Sequence, residues 1–127
     1  MNIFGDNFID HFLNPRNVGE IENPDSIGTF EDEKSGEKIV FHLKIINGKI
    51  EDIKYKILGC PSAISSASLI SEKFKGKDLN SSLNIDLNFL KENFGDLPED
   101  ILNCGAFAIE AFKNAILNFL KKEELND

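Results

Sequence analysis

Ile39-Val40-Phe41-His42-Leu43-Lys44-Ile45-Ile46-Asn47-Gly48-Lys49-Ile50-Glu51-Asp52-Ile53-Lys54-Tyr55-Lys56-Ile57 is the stretch that decides the fold. In its first arm Ile39, Phe41, Leu43 and Ile45 alternate with Val40, His42, Lys44 and Ile46; its second arm carries Ile50, Ile53, Tyr55 and Ile57. Alternation with period two puts one set of side chains on each face of a strand. Between the arms, Asn47-Gly48 supplies the two positive-φ positions of a type I′ turn, so the stretch predicts a β-hairpin. Upstream, Ile27 to Glu33 adds a third strand before Ser35-Gly36. The result is a small antiparallel three-stranded sheet, with Lys38, His42, Lys44, Lys54 and Lys56 holding one face in water.

Helical patterns flank the sheet. Before it, Phe8, Ile9, Phe12 and Leu13 recur at helical spacing until Pro15 stops them near Asn14. From Asn14 to Asp25 the chain is rich in Pro, Gly and Asn and reads as a loop across the surface. After the hairpin, Leu58-Gly59-Cys60 leads to Pro61, which suits the first position of a helix striped by Ala63, Ala67, Ile70 and Phe74 and ended by Gly76. A short helix follows from Ile85 to Glu92. The longest element runs from Pro98 to Lys122, where Ile101, Cys104, Ala108, Ala111, Ala115 and Phe119 form the apolar stripe. Strands first and helices later, without the alternation that builds parallel sheets, give an α+β fold with helices packed on one face of the sheet.

The composition narrows the function. The 127 residues suit one domain, 1–127, and 41% hydrophobic content with eleven Phe permits a real core. Fourteen Lys and Arg against 22 Asp and Glu leave a net charge of −8, which argues against a surface that tracks nucleic-acid phosphates. No apolar run reaches the ~20 residues of a membrane span, and Met1-Asn2-Ile3-Phe4-Gly5-Asp6 lacks a signal peptide's basic and apolar regions. A soluble, cytoplasmic protein is expected. No phosphate loop, nucleophile elbow or metalloprotease motif is present, and no general acid or base stands out, so an enzyme is not expected.

Two cysteines are too few for a secreted disulfide framework, so each needs its own explanation. Cys60 lies where strand gives way to helix, a place that offers partial positive charge and unpaired N–H groups to a thiolate; buried filler is the competing reading. Cys104 lies on the apolar stripe of the last helix, where core filler and ligand compete evenly unless the fold brings it to Cys60. Two thiolates do not complete a tetrahedral site. His11 and His42 are the available nitrogen donors, and for both a solvated or capping role is the simpler reading. Glu31-Asp32-Glu33 reads as a solvated run.

Two of these segments together resemble one family. Asp10-His11-Phe12-Leu13-Asn14-Pro15-Arg16-Asn17-Val18-Gly19 resembles the amino-terminal Asp-His…Asn-Pro-Arg-Asn-x-Gly stretch of the U-type iron-sulfur cluster assembly scaffolds, the NifU amino-terminal domain and IscU-like proteins. Gly59-Cys60-Pro61-Ser62-Ala63-Ile64-Ser65-Ser66-Ala67-Ser68 is similar to the same family's central cysteine segment. The resemblance runs in order over nearly the whole chain. It implies an α+β scaffold that builds a 2Fe-2S cluster on three cysteines, receives sulfur from a cysteine desulfurase and passes the cluster to acceptor proteins.

Carried over, the family's second cysteine falls on Cys60 and its third on Cys104. Where the family has Cys-Gly-Asp this chain has Ser35-Gly36-Glu37, and where it has His-Cys this chain has Asn103-Cys104. A serine hydroxyl is a hard, un-ionised donor and a poor substitute for thiolate, and asparagine cannot replace histidine as a nitrogen ligand. Some members carry a Leu-Pro-Pro-x-Lys chaperone-docking stretch; Leu97-Pro98-Glu99-Asp100-Ile101 lacks its second proline and its lysine. The expected ligand set is therefore Cys60, Cys104 and Glu37, with the fourth donor from Ser35, water or a partner chain. Iron or a 2Fe-2S cluster would be the cargo, and zinc suits the same donors. A homodimer sharing one cluster would restore four sulfur ligands. Two other readings stay open: a relative that kept the fold, lost the cluster and serves as a partner-binding or regulatory module, and a thiol redox pair.

Overall fold

A computed structural model describes residues 5–59 and 61–125. Strands β2 (Glu37–Ile46) and β3 (Lys49–Leu58) form the expected hairpin, with Asn47 at φ 53° and Gly48 at φ 75° making the turn. Phe41 faces Tyr55 and Leu43 faces Ile53 across the pair. A bulge between Lys44 and Ile45 shifts the register. That extra residue explains why Ile50 and Ile53, three apart in sequence, share the inner face, where both are fully buried. Strand β1 (Ser26–Asp32) pairs antiparallel with β2, from Ser26 opposite Leu43 to Asp32 opposite Glu37, and the sheet order is β1-β2-β3.

Both edges of this small sheet are covered, which removes the unpaired backbone groups that invite aggregation. On the β1 edge the Asn114 and Asn118 side-chain amides donate to the Thr29 and Ile27 carbonyls at 2.9 and 2.8 Å. On the β3 edge Gly19 N–H donates to Tyr55 O at 2.9 Å, and Ile50 N–H donates to Lys77 O at 2.9 Å.

The loop between Asn14 and Asp25 does more than skirt the surface. It leaves the β3 edge at Val18, crosses the outer face where Ile21 N–H donates to His42 Nδ1 at 3.1 Å, and reaches β2 where Asp25 accepts from Ile45 N–H at 2.7 Å. The outer face is thus only partly open to water: Lys38 and Lys56 are exposed, but His42, Lys44 and Lys54 are half-buried beneath or beside the loop.

Four helices pack around the inner face: α1 (Asp6–Leu13), α2 (Ala63–Phe74), α3 (Leu87–Phe94) and α4 (Glu99–Leu125). The helix expected from Pro61 starts two residues later, after a turn at Pro61 and Ser62. The helix expected from Ile85 starts at Leu87, because Asp86 caps it by accepting from Asn88 N–H at 2.9 Å. A 3-10 turn at Ser81–Asn84 has no apolar periodicity to announce it.

Strand β1 and helix α4 approach each other closely. A Cβ on Gly28 would overlap the backbone of Ala111 and Ala115, so glycine is required for that contact. Ala108, Ala111, Phe112, Ala115 and Ile116 of α4 then close the core against Ile39, Phe41 and Leu43.

Candidate metal centre

One end of the sheet brings Asp32, Ser35, Glu37 and Gly59 together. Asp32 ends β1, Glu37 opens β2 directly opposite it, and Gly59 follows β3. Gly59 has φ 93°, and a Cβ there would lie 3.2 Å from both Cα and Cγ of Glu37. Glycine therefore lets the chain pass hard against Glu37 immediately before Cys60. Cys60 itself lies outside the described residues.

The Glu37 side chain carries the most informative atom of the site. Its Oε2 is buried and has no hydrogen-bond partner among the described residues. A buried carboxylate oxygen without a donor is costly, and native proteins tolerate one chiefly where a cation or another donor satisfies it. Ser35 is exposed in the β1–β2 turn; its hydroxyl donates to Asp32 Oδ2 at 3.0 Å and accepts from Glu37 N–H at 3.3 Å. Its position is thus coupled to Glu37 through the backbone.

Cys104 lies on α4, half-buried and packed at the margin of the core, and it is disulfide-bonded. Asn103 beside it is exposed. Helix α4 runs antiparallel to β1: Asn118 meets Ile27, Asn114 meets Thr29 and Phe107 stacks on Phe30. Cys104 lies one turn before Phe107 on the same helix. Among the described residues, no group of three or more His, Cys, Asp or Glu is arranged to hold a metal ion.

Neither histidine belongs to this site. His42 accepts from the loop, the capping role that its strand position suggested. His11 is not solvated: it is 1% exposed, with Nδ1 2.6 Å from Ser68 Oγ and Nε2 3.7 Å from Glu72. Burial holds its pKa below the ordinary value of 6.5, and the Arg16 cation acts the same way against Glu72 and Asp10.

His11 is part of a buried polar clasp that the sequence patterns missed. Ser68 Oγ also accepts from Arg16 N–H at 2.9 Å, Asn17 Nδ2 donates to Ser71 Oγ at 3.0 Å, and Ser65 Oγ donates to Phe8 O at 3.0 Å. Arg16 pairs with Asp10 at 2.6 Å and with Glu72 at 3.3 Å, and this lowers the Asp10 pKa. Beneath the clasp, burial pushes the Tyr55 phenol up to about 12, with Ser68 and Arg16 acting in the opposite direction. The signal was available, because Ser65, Ser66, Ser68 and Ser71 recur within seven residues of an otherwise apolar helix.

The two motifs thus grip each other. The family model described as "NifU-like N terminal domain" matches residues 3–126. The chain belongs to the NifU-like N-terminal domain family. Among NifU-like relatives, the iron-sulfur cluster assembly scaffold protein IscU 1 of Archaeoglobus fulgidus is 36% identical over 120 residues, covering 94% of this chain and 78% of the relative. The IscU scaffold protein of Escherichia coli is 35% identical over 125 residues, covering 95% of this chain and 97% of its own. A crystal structure of the amino-terminal part of a NifU-like protein from Brucella abortus superimposes with TM-score 0.71 at 18% identity, covering 93% of this chain and 94% of the other. This likeness bears out the α+β fold. The relatives are named as scaffolds, in line with the expectation that the NifU-like chain is not an enzyme. No helix among the described residues is long and apolar enough to cross a membrane.

Proposed function

We propose that this NifU-like protein is an iron-sulfur cluster assembly scaffold that holds iron or a 2Fe-2S cluster through Cys60 and Cys104, with Glu37 as a third ligand, and passes it to acceptor proteins. The observation that carries the ligand assignment is the buried, unpartnered Oε2 of Glu37, set against the residue that precedes Cys60. A cation there satisfies an atom that has no partner among the described residues. The fourth donor is Ser35, water or a partner chain; a homodimer pooling two thiolates from each copy meets the usual cluster requirement of four sulfurs. Sulfur comes from a cysteine desulfurase, as suits a scaffold that supplies ligands and no sulfur of its own. Zinc fits the same mixed thiolate and carboxylate donors.

Thiolates, not a disulfide, ligate metal. Because Cys104 is disulfide-bonded, loading depends on prior reduction. Anaerobic reconstitution with iron and sulfide is expected to yield a brown protein after treatment with a thiol reductant and a colourless one without it. Glu37→Gln is expected to weaken iron retention by about tenfold or more, the scale found for groups that support a metal. Unchanged iron retention in Glu37→Gln would remove Glu37 from the ligand set.

A further inference from the structure

Phe30 and Phe107 stack with ring centroids 4.4 Å apart and planes 14° from parallel, and both are half-buried. They lie in the contact between β1 and α4. Further along, the same two elements meet through Gly28, Ala111 and Ala115. Phe107 is three residues after Cys104 on α4, so the two share a helix face. Side chains on a helix lean toward its amino terminus, which places the Phe107 ring over the turn that holds Cys104. Phe30 lies two residues before Asp32 on the inner face of β1 and backs that ring from the sheet side.

We propose that the Phe30–Phe107 stack is a hydrophobic wall that screens Cys104 from water and sets how long the scaffold retains its cargo. Phe30 and Phe107 are positioning residues, and the inference about retention rests on the scaffold reading above. The physical reason is that the apolar shell around a metal site controls solvent access, and hence the ease with which a competing ligand reaches the metal. An aromatic pair suits this better than aliphatic residues, because offset stacking holds each ring in place while half of it faces solvent.

Two measurements separate the wall from the cargo. In the reduced Cys60→Ser background Cys104 is the only thiol, and its alkylation by iodoacetamide reads its accessibility without any metal. Phe107→Ala is expected to raise that rate roughly tenfold, and Phe107→Tyr, which keeps the ring, to restore it. In the reconstituted protein with both cysteines, Phe107→Ala is expected to lose iron to a chelator roughly tenfold faster, again with rescue by Phe107→Tyr. Faster alkylation with unchanged iron loss would overturn the role in retention. Unchanged alkylation in a variant that keeps its circular dichroism spectrum would overturn the wall. Faster alkylation in a protein that takes up no iron at all would leave the wall standing and overturn the scaffold reading.

Discussion

At the scale of single residues, His11 shows how burial converts a sequence motif into a stability device. Burial disfavours the imidazolium and the Arg16 cation adds to that, so the folded state holds its pKa below 6.5. Glu72 and Asp10 oppose this, and Lys73 adds to it. A histidine with a depressed folded pKa contributes stability that is complete above the unfolded value and declines as pH falls through the folded one, because the unfolded chain takes up the proton first. Urea midpoints are therefore expected to fall as pH drops from about 7.5 to below 6.5. His11→Gln should flatten that slope, and an equally steep slope in the variant would contradict the assignment. The pairing of Asp10 with Arg16 could be guessed from their proximity in sequence; the pairing of His11 with Ser68 could not. Helical periodicity ranks serine as polar and turns it outward, whereas here Ser65 donates to the α1 backbone at Phe8, and Ser68 and Ser71 accept from Arg16 and Asn17 of the following loop.

At the scale of elements, the contact between β1 and α4 decides where the candidate site sits. Gly28 lets the strand reach the helix backbone, and Asn114 and Asn118 then tie the free edge of β1 to the same helix. Gly28→Ala is expected to push α4 outward and cost about 1–3 kcal/mol in unfolding free energy, measurable by chemical denaturation. A variant as stable as the parent would show that the strand and helix are less tightly apposed. The hairpin, the long last helix and the three-stranded sheet were all legible from period and turn chemistry, because each depends on residues close in sequence. The start of α3 moved because the Asp86 side chain, not the apolar spacing, defines that end. The outer sheet face was read as open to water because a loop's path over it is fixed by single hydrogen bonds, such as Ile21 to His42, that no periodicity encodes.

At the scale of the whole molecule, the proposed ligand set draws on three places in the sequence: the turn before β2, the residue after Gly59 and the first third of α4. Their sequence separations explain why spacing alone left Cys104 evenly poised between filler and ligand. The family pattern supplied the link between Cys60 and Cys104. The structure added what a pattern could not, a buried carboxylate oxygen on Glu37 with no partner among the described residues and an aromatic stack one helical turn from Cys104. A ligand set of two thiolates and a carboxylate is thinner than the family's three-cysteine set, so retention of cargo is the property on which the account stands. The most direct test is iron and acid-labile sulfide analysis of the reduced, anaerobically reconstituted protein beside Cys60→Ser. Bound iron with visible charge-transfer absorption in the parent, lost in Cys60→Ser, is the predicted result. A colourless parent without iron, indistinguishable from Cys60→Ser, would contradict it.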